Sequence, residues 1–419
     1  MKHLCLTILF LMFLINLLNA QYKKDSTEFS TFRFGGYGEV LYKKMDYGPD
    51  RYNYPEGAQP DKRAVTGIPR IVFSFEYKFR SDIQLVSELE IEHGGTGSSL
   101  ELEYEEAGEY EMEIEKAGEV ILEQLYLQKT FAKYLKIKAG HIIVPVGRLN
   151  DHHLPVEYFT TVRPESETQI IPVTWHETGI AVSGSLRNWD YEFQLVNGLD
   201  ANGFSRAKWV SSGYQHLFEE TKASDMAGAF RIENSSIPNV NISVSGYMGN
   251  STKNTGKPEK MKDISGTVSI IGCDAEFNNR RIIGRGNFIY GNLQDAYEIG
   301  SINQTISKNI QYQRTPVAKN AATWSVELGY DIFTHIRRNE KLIPFIRYEY
   351  YNTMENTTNG ILADERFKRN VLTTGLNYYV LPGIAIKADY SKRIIGNGKY
   401  NTENTIGFAI VYSSYFINK

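Results

Sequence analysis

Apolar and polar side chains alternate with a period of two residues along short segments that recur to the end of the chain. Residues 71–79 show the pattern clearly, because one face of an extended chain carries Ile71, Phe73, Phe75, Tyr77 and Phe79. The opposite face carries Ser74, Glu76 and Lys78. Since successive side chains of a strand point to opposite faces, each segment predicts a β-strand with one apolar and one polar face.

The connections between these segments alternate between short and long. We predict sixteen strands between residue 29 and Phe416. Short turns are predicted at 80–82, 132–133, 188, 235–238, 278–279, 338–340 and 381–383. Long loops are predicted at 43–67, 94–118, 142–177, 199–222, 250–262, 293–320, 353–367 and 394–402. An even strand number with short turns at one end predicts an all-β, antiparallel up-and-down transmembrane β-barrel. A secreted or surface β-sandwich that binds glycans is the alternative from another class.

The N-terminus and the composition agree with an exported barrel. Residues 1–20 combine an early lysine, an apolar run and a closing Ala20, which predicts a cleaved signal peptide. Residues 21–28 then form a short periplasmic segment, and residues 29–419 form the barrel domain. The 28 Tyr, 21 Phe and 35 Gly suit the aromatic girdles of an outer-membrane barrel. A net charge of -3 gives no indication of nucleic-acid binding.

The loop at 142–177 is the longest interruption between predicted strands, and it is partly apolar. Its apolar residues can leave water only by packing on the inner wall or on each other, so we expect the loop to fold into the lumen. Charged side chains around a narrow pore set ion preference. The predicted constriction residues are Arg148, Asp151, His152, His153, Arg163, Glu165 and Glu167. The alternative is that these residues are solvated on an outer loop.

The polar faces of the predicted strands carry charges of both signs. The predicted lumen-lining residues are Glu76, Lys78, Lys136, Lys138, Arg347, Glu349, Lys387 and Asp389. A wide barrel with such a lining keeps water inside. We therefore expect a porin that passes small hydrophilic solutes and ions, with a substrate-specific channel for anions or nutrients as the alternative.

Three segments resemble a known family. Residues 135–148 (LKIKAGHIIVPVGR), 156–165 (VEYFTTVRPE) and 177–184 (ETGIAVSG) are similar to the phosphate-selective porins of Gram-negative, Bacteroidetes-like outer membranes. The resemblance implies sixteen strands, a third outer loop that narrows the pore, and a homotrimer. It does not carry phosphate selectivity over, because no ladder of lumenal basic residues is visible.

An acidic block sets the chain apart from that family. Its glutamates are Glu101, Glu103, Glu105, Glu106, Glu109, Glu111, Glu113, Glu115 and Glu119. The alternation on both sides of Ala107-Gly108 predicts a hairpin over 99–119. Its glutamate face suits hard divalent cations, or it is an ordinary solvated surface.

The sequence favours neither a metal site nor catalysis. His152 and His153 would point to opposite faces of an extended strand, which weakens a shared metal site, and His176-Glu177 is the other candidate pair. We predict no metal, no cofactor and no enzymatic activity. The expected partners are outer-membrane lipid, lipopolysaccharide and small solutes.

Overall fold

The computed structural model describes residues 31–52, 54–95, 98–101, 113–116, 118–215, 221–305, 315–335, 340–358 and 360–419. The predicted signal peptide and the segment 21–28 lie outside these ranges and stay predictions. No helix in the described ranges is both long and apolar enough to cross a bilayer.

Nineteen strands are present in the described ranges. They are β1 Phe32–Tyr47, β2 Pro60–Gly67, β3 Arg70–Arg80, β4 Ile83–Glu92, β5 Ser98–Glu101, β6 Glu113–Lys116, β7 Val120–Ala132, β8 Leu135–Ile143, β9 His176–Leu186, β10 Trp189–Asn197, β11 Met226–Ile237, β12 Val240–Gly249, β13 Val268–Asn278, β14 Ile282–Leu293, β15 Asn320–Tyr330, β16 Lys341–Asn356, β17 Lys368–Leu381, β18 Ile384–Ile395 and β19 Glu403–Asn418. Three α-helices lie in the connections: α1 Arg148–Asp151, α2 Glu165–Thr168 and α3 Ala296–Thr305. Short 3-10 helices span Ala201–Gly203, Ser211–Gly213, Pro258–Met261, Ile332–His335, Glu365–Phe367 and Gly396–Gly398.

Seventeen of these strands form one closed antiparallel sheet. Each strand pairs with the next along the ring, and β1 pairs with β19 to close it. Both β2 and β3 pair with β1, β2 at its C-terminal half and β3 at its N-terminal half. They are two halves of one barrel strand, interrupted beside Pro69, which has no N–H to donate to the ladder. The barrel therefore has sixteen strands, and the predicted fold class is confirmed.

The predicted alternation is confirmed along the strands. Val326 and Leu328 of β15 are exposed on the outer surface, whereas Ser325 and Glu327 between them are buried. In β16, Ile346 is 50% exposed and Arg347 only 6%. An apolar outward row and a polar inward row are what a barrel in a bilayer requires.

Two predicted connections differ from the structure. The loop predicted at 43–67 is shorter, because Tyr42–Tyr47 and Pro60–Gly67 pair as strands and so satisfy their backbone groups. The turn predicted at 338–340 is wrong, since β15 ends at Tyr330 and ten residues precede β16. Asp331 ends the strand there: its carboxylate accepts from the backbone N of Phe333 at 3.0 Å and of Leu342 at 3.2 Å.

The acidic block forms a small separate hairpin between β4 and β7. Strand β5 pairs with β6, with Leu100 opposite Ile114 and Glu101 opposite Glu113. The residues between the two strands lie outside the described ranges, so the turn predicted at Ala107-Gly108 stays a prediction. The hairpin stands at the long-loop end of the barrel.

Candidate functional site

Residues 144–175, which we call the lumenal segment, contact strands on several sides of the ring. The N–H of Gly147 donates to Ser245 Oγ of β12 at 3.1 Å. The carbonyl of His153 accepts from Arg70 of β3 at 3.0 Å. Near its end, the N–H of Ser166 donates to Glu349 of β16 at 2.9 Å. A segment that touches such widely separated strands of a closed ring lies inside that ring.

Local sequence explains how the lumenal segment folds on itself. Ile170, Ile171 and Trp175 are fully buried, which compensates for the entropy of ordering the segment. Gly147 has a φ of 80°, and a Cβ at that position would lie 2.6 Å from Glu167 Oε2 and 2.8 Å from Ile171 Cδ1. Only glycine fits this close approach at that φ.

Glu167 links the two short helices of the lumenal segment to the wall. Its carboxylate accepts from the Leu149 N–H at 3.0 Å and from Asn287 Nδ2 of β14 at 2.8 Å. Burial raises the pKa of Glu167 to about 7, and the charge of Asp274 adds to that rise. The positive charges of Arg347 and Arg148 partly offset this rise in the pKa. Glu167 therefore positions the segment and does not line open water.

A chain of alternating charges runs from the lumenal segment across β13 to β16. Arg148 pairs with Glu276, which lies 3.2 Å from Arg285. The chain then continues from Arg285 to Glu327 at 2.7 Å, from Glu327 to Arg347 at 3.4 Å and from Arg347 to Glu349 at 3.2 Å. The expectation that no basic ladder exists is thus corrected, because arginines do line up here. Each one lies between carboxylates, so the ladder is neutral overall.

Strand β18 holds the middle of the lumenal segment. The ammonium of Lys387 donates to the carbonyls of Pro155 and Tyr158 at 2.6 Å and of Thr160 at 3.1 Å. Asp389 accepts from the N–H of Thr161 at 2.6 Å and from its hydroxyl at 3.0 Å. Lys387 is completely buried. A buried ammonium with three acceptors is a strong local anchor.

Glu165 connects the far end of the segment to residues that sequence reasoning missed. It pairs with Arg393 of β18 and accepts from the hydroxyl of Tyr351 at 2.8 Å. Arg393 also reaches Glu403 of β19 at 2.7 Å, and Arg51 lies 3.1 Å from the same carboxylate. Arg393 lies on the same inward face of β18 as Lys387 and Asp389. Extending the predicted strand beyond residue 391 would have found it.

The remaining predicted constriction residues contact either the inner wall or other residues of the lumenal segment. Asp151 lies 3.1 Å from Arg231 of β11. His152 Nδ1 lies 3.5 Å from Glu157 Oε1, and the His153 ring packs against Tyr37. Arg163 donates to the Thr174 hydroxyl within the segment. Within the described residues no three His, Cys, Asp or Glu side chains are grouped as metal ligands would be.

The lumenal segment covers one side of the inner wall and leaves the other side open. Of the predicted lumen-lining residues, four are buried beneath the segment: Arg347, Glu349, Lys387 and Asp389. The structure therefore differs from the prediction for these four, because the segment's backbone and charged groups take the place of water. The other four, Glu76, Lys78, Lys136 and Lys138, are half-buried on β3 and β8. The inner wall that remains open includes these positions on β3 and β8, whereas Arg70, Glu90 and Glu123 on β3, β4 and β7 are buried.

Comparisons with known proteins agree with this architecture. No family model matches the chain. An uncharacterized protein of Aquifex aeolicus (strain VF5) is 25% identical over 372 residues, which is 88% of this chain and 77% of that protein. The chain is similar in fold to OmpF of Salmonella typhi, solved with daunomycin, with a TM-score of 0.55 and 11% identity over 92% of this chain and 98% of that one.

Two further solved structures extend the comparison. An anion-selective porin from Comamonas acidovorans has a TM-score of 0.52 and 9% identity over 92% of this chain and 100% of that one. The outer membrane channel DcaP of Acinetobacter baumannii has a TM-score of 0.52 and 11% identity over 94% and 100%. The fold is thus the sixteen-stranded barrel of outer-membrane porins. Likeness to the phosphate-selective family in particular stays a resemblance.

Proposed function

We propose that this protein is an outer-membrane porin that lets small hydrophilic solutes and ions diffuse through a water-filled lumen. The observation that carries the proposal is the set of half-buried polar side chains on the inner faces of β3, β8 and β10 inside a closed, outwardly apolar ring. Polar side chains keep such an interior wet, whereas the outer rows face lipid and lipopolysaccharide. Export through the signal peptide and assembly as a homotrimer complete the proposal.

The lumenal segment narrows this pore. Its contacts with β12, β16 and β18 support this position, in which solutes pass between the segment and the opposite wall. Asp151, His152 and His153 belong to the constriction, together with Arg148, Arg163 and Glu165. Glu167 supports them from within the segment through Leu149 and Asn287.

Planar-bilayer recording tests both parts of the proposal. Purified protein should insert, show stepwise conductance and migrate anomalously on unheated detergent gels. Replacing residues 148–168 by a short Gly-Ser link should leave the barrel inserted and raise the single-channel conductance. A mature protein that stays soluble without detergent and gives no current would refute the channel. Unchanged conductance after the replacement would refute the constriction alone.

A substrate-specific channel is the second candidate, and one observation favours it. The outer loops share an apolar core with the lumenal segment, in which Trp175, Trp209 and Ile299 are all fully buried. A packed core of this kind narrows the outer half of the lumen and keeps it rigid. Liposome-swelling rates for sugars of increasing size separate the two candidates. A smooth decline with size indicates a general porin, and a sharp preference for one solute indicates specificity.

A further inference from the structure

A cleft of about 220 Å³ lies between the lumenal segment and the inner wall of β8 to β11. Pro145 and Asp151 form its segment side. Its wall side includes Ser183, Ser185 and Tyr191, which are small or polar groups compatible with water. This cleft belongs to the open side of the lumen described above.

The cleft carries an excess of negative charge. Its ionisable lining is Lys136, Asp151, Asp190, Glu192, Arg231 and Glu233, which is two basic and four acidic residues and a net charge of -2. Including the flanking partners does not change this sum. Lys138 pairs with Glu192 at 2.8 Å, and Asp274 pairs with Arg231 at 2.9 Å, so one charge of each sign is added.

Two of the acidic side chains are the least compensated. Arg231 lies 2.9 Å from Asp274 and 3.1 Å from Asp151, but 3.8 Å from Glu233. Asp190 is exposed and accepts from the hydroxyl of Ser185, which leaves its charge in place. Asp190 and Glu233 are cross-strand partners on β10 and β11. Their charges therefore act at the same level of the lumen.

The ion-pair chain on the opposite wall does not offset this charge. This chain contains Arg148, Arg285 and Arg347 against Glu276, Glu327 and Glu349, so it is neutral. Interleaved charges of both signs cancel at distances beyond their own spacing. The field along the cleft is therefore set by the β8 to β11 wall.

We propose that the permeation path is off-centre, runs through the cleft along β8 to β11, and prefers small cations and cationic solutes. Asp190 and Glu233 are its specificity-determining residues. The inference rests on the proposed channel function. It is the opposite of the selectivity that a phosphate-selective porin has.

Reversal potentials across a planar bilayer with a KCl gradient test this inference. The unaltered protein should show potassium permeating better than chloride. Asp190→Asn and Glu233→Gln should each reduce the permeability ratio roughly two- to fivefold, as expected for one unit charge acting across a few ångströms of water. Lys136→Gln should raise the ratio. Glu259→Gln, in an exposed outer loop, is the matched control and should leave it unchanged.

A conducting channel that prefers chloride, or that ignores Asp190→Asn and Glu233→Gln, refutes the inference and leaves the channel function standing. A protein that inserts but conducts nothing refutes both.

Discussion

Lys387 offers the sharpest test of how the lumenal segment is held. We expect Lys387→Met to keep the volume of the side chain but to leave three buried carbonyls, those of Pro155, Tyr158 and Thr160, without their donor. A charged hydrogen bond contributes about 1.5 to 3 kcal/mol, and buried acceptors without a partner add to the loss. Because the three bonds share one donor and are not additive, docking of the segment should weaken by about 3 to 5 kcal/mol.

This loss should appear in the channel more than in the barrel. At 1.4 kcal/mol per factor of ten, it raises the population of undocked segment roughly 100- to 4,000-fold. The strand ladder is untouched, so the heat-modifiable migration should persist. Single-channel recordings should show added open-state noise and transitions to higher conductance. Lys78→Met, a half-buried lysine on the open wall, is the control and should produce neither change.

A Lys387→Met channel with the parent conductance and no added noise would show that the hydrogen bonds of Lys387 do not hold the segment. In that case the apolar packing of Phe159 against Phe345, at 5.4 Å between ring centroids, would be sufficient to hold the segment. The double variant with Phe159→Ala would then locate the anchor.

Three further outcomes are expected. Ile346→Arg, on the lipid-facing row, should destabilise the barrel by about 2 to 4 kcal/mol in urea unfolding, whereas a cost near zero would contradict the orientation of β16. In a Cys273→Ser background, a water-borne thiol reagent should label Lys138→Cys and not Ile137→Cys; equal labelling would contradict the alternation. Burial raises the pKa of Glu167 to about 7 from the ordinary 4.5, so the docked segment binds a proton more readily than the undocked one. As the pH drops from 8 to 5, the free energy of docking should therefore become more favourable by at most about 3 kcal/mol, and the conductance should fall. Glu167→Gln should abolish this pH dependence, and its persistence would assign the effect to another group.

The residues that the sequence analysis did not identify were missed for one reason, which is that their partners lie far away in the sequence. Arg393 meets Glu165 across 228 positions of sequence, and its role depends on where the lumenal segment ends after crossing the ring. The alternation along the strand predicts that Arg393 faces inward, but it does not predict the partner of Arg393. The same is true of Arg51, which reaches the Glu403 carboxylate from the opposite end of the chain.

The barrel, its strand number and the face on which each strand residue lies all follow from local patterns in the amino-acid sequence. A bilayer requires apolar side chains on the outer face of the barrel and a partner for every backbone group. The two-residue alternation therefore predicts that Ile346 faces the lipid and that its neighbour Arg347 faces inward. Connection lengths likewise reflect a local rule, since adjacent antiparallel strands need only a short turn. Which part of the inner wall stays wet depends instead on contacts between residues that are far apart in sequence. Lys78 and Lys387 are both inward-facing lysines close to a short turn, yet one is half-buried and the other is completely buried beneath carbonyls of the lumenal segment. That difference arises from the path of a segment more than two hundred residues away from Lys387, and no local pattern records it.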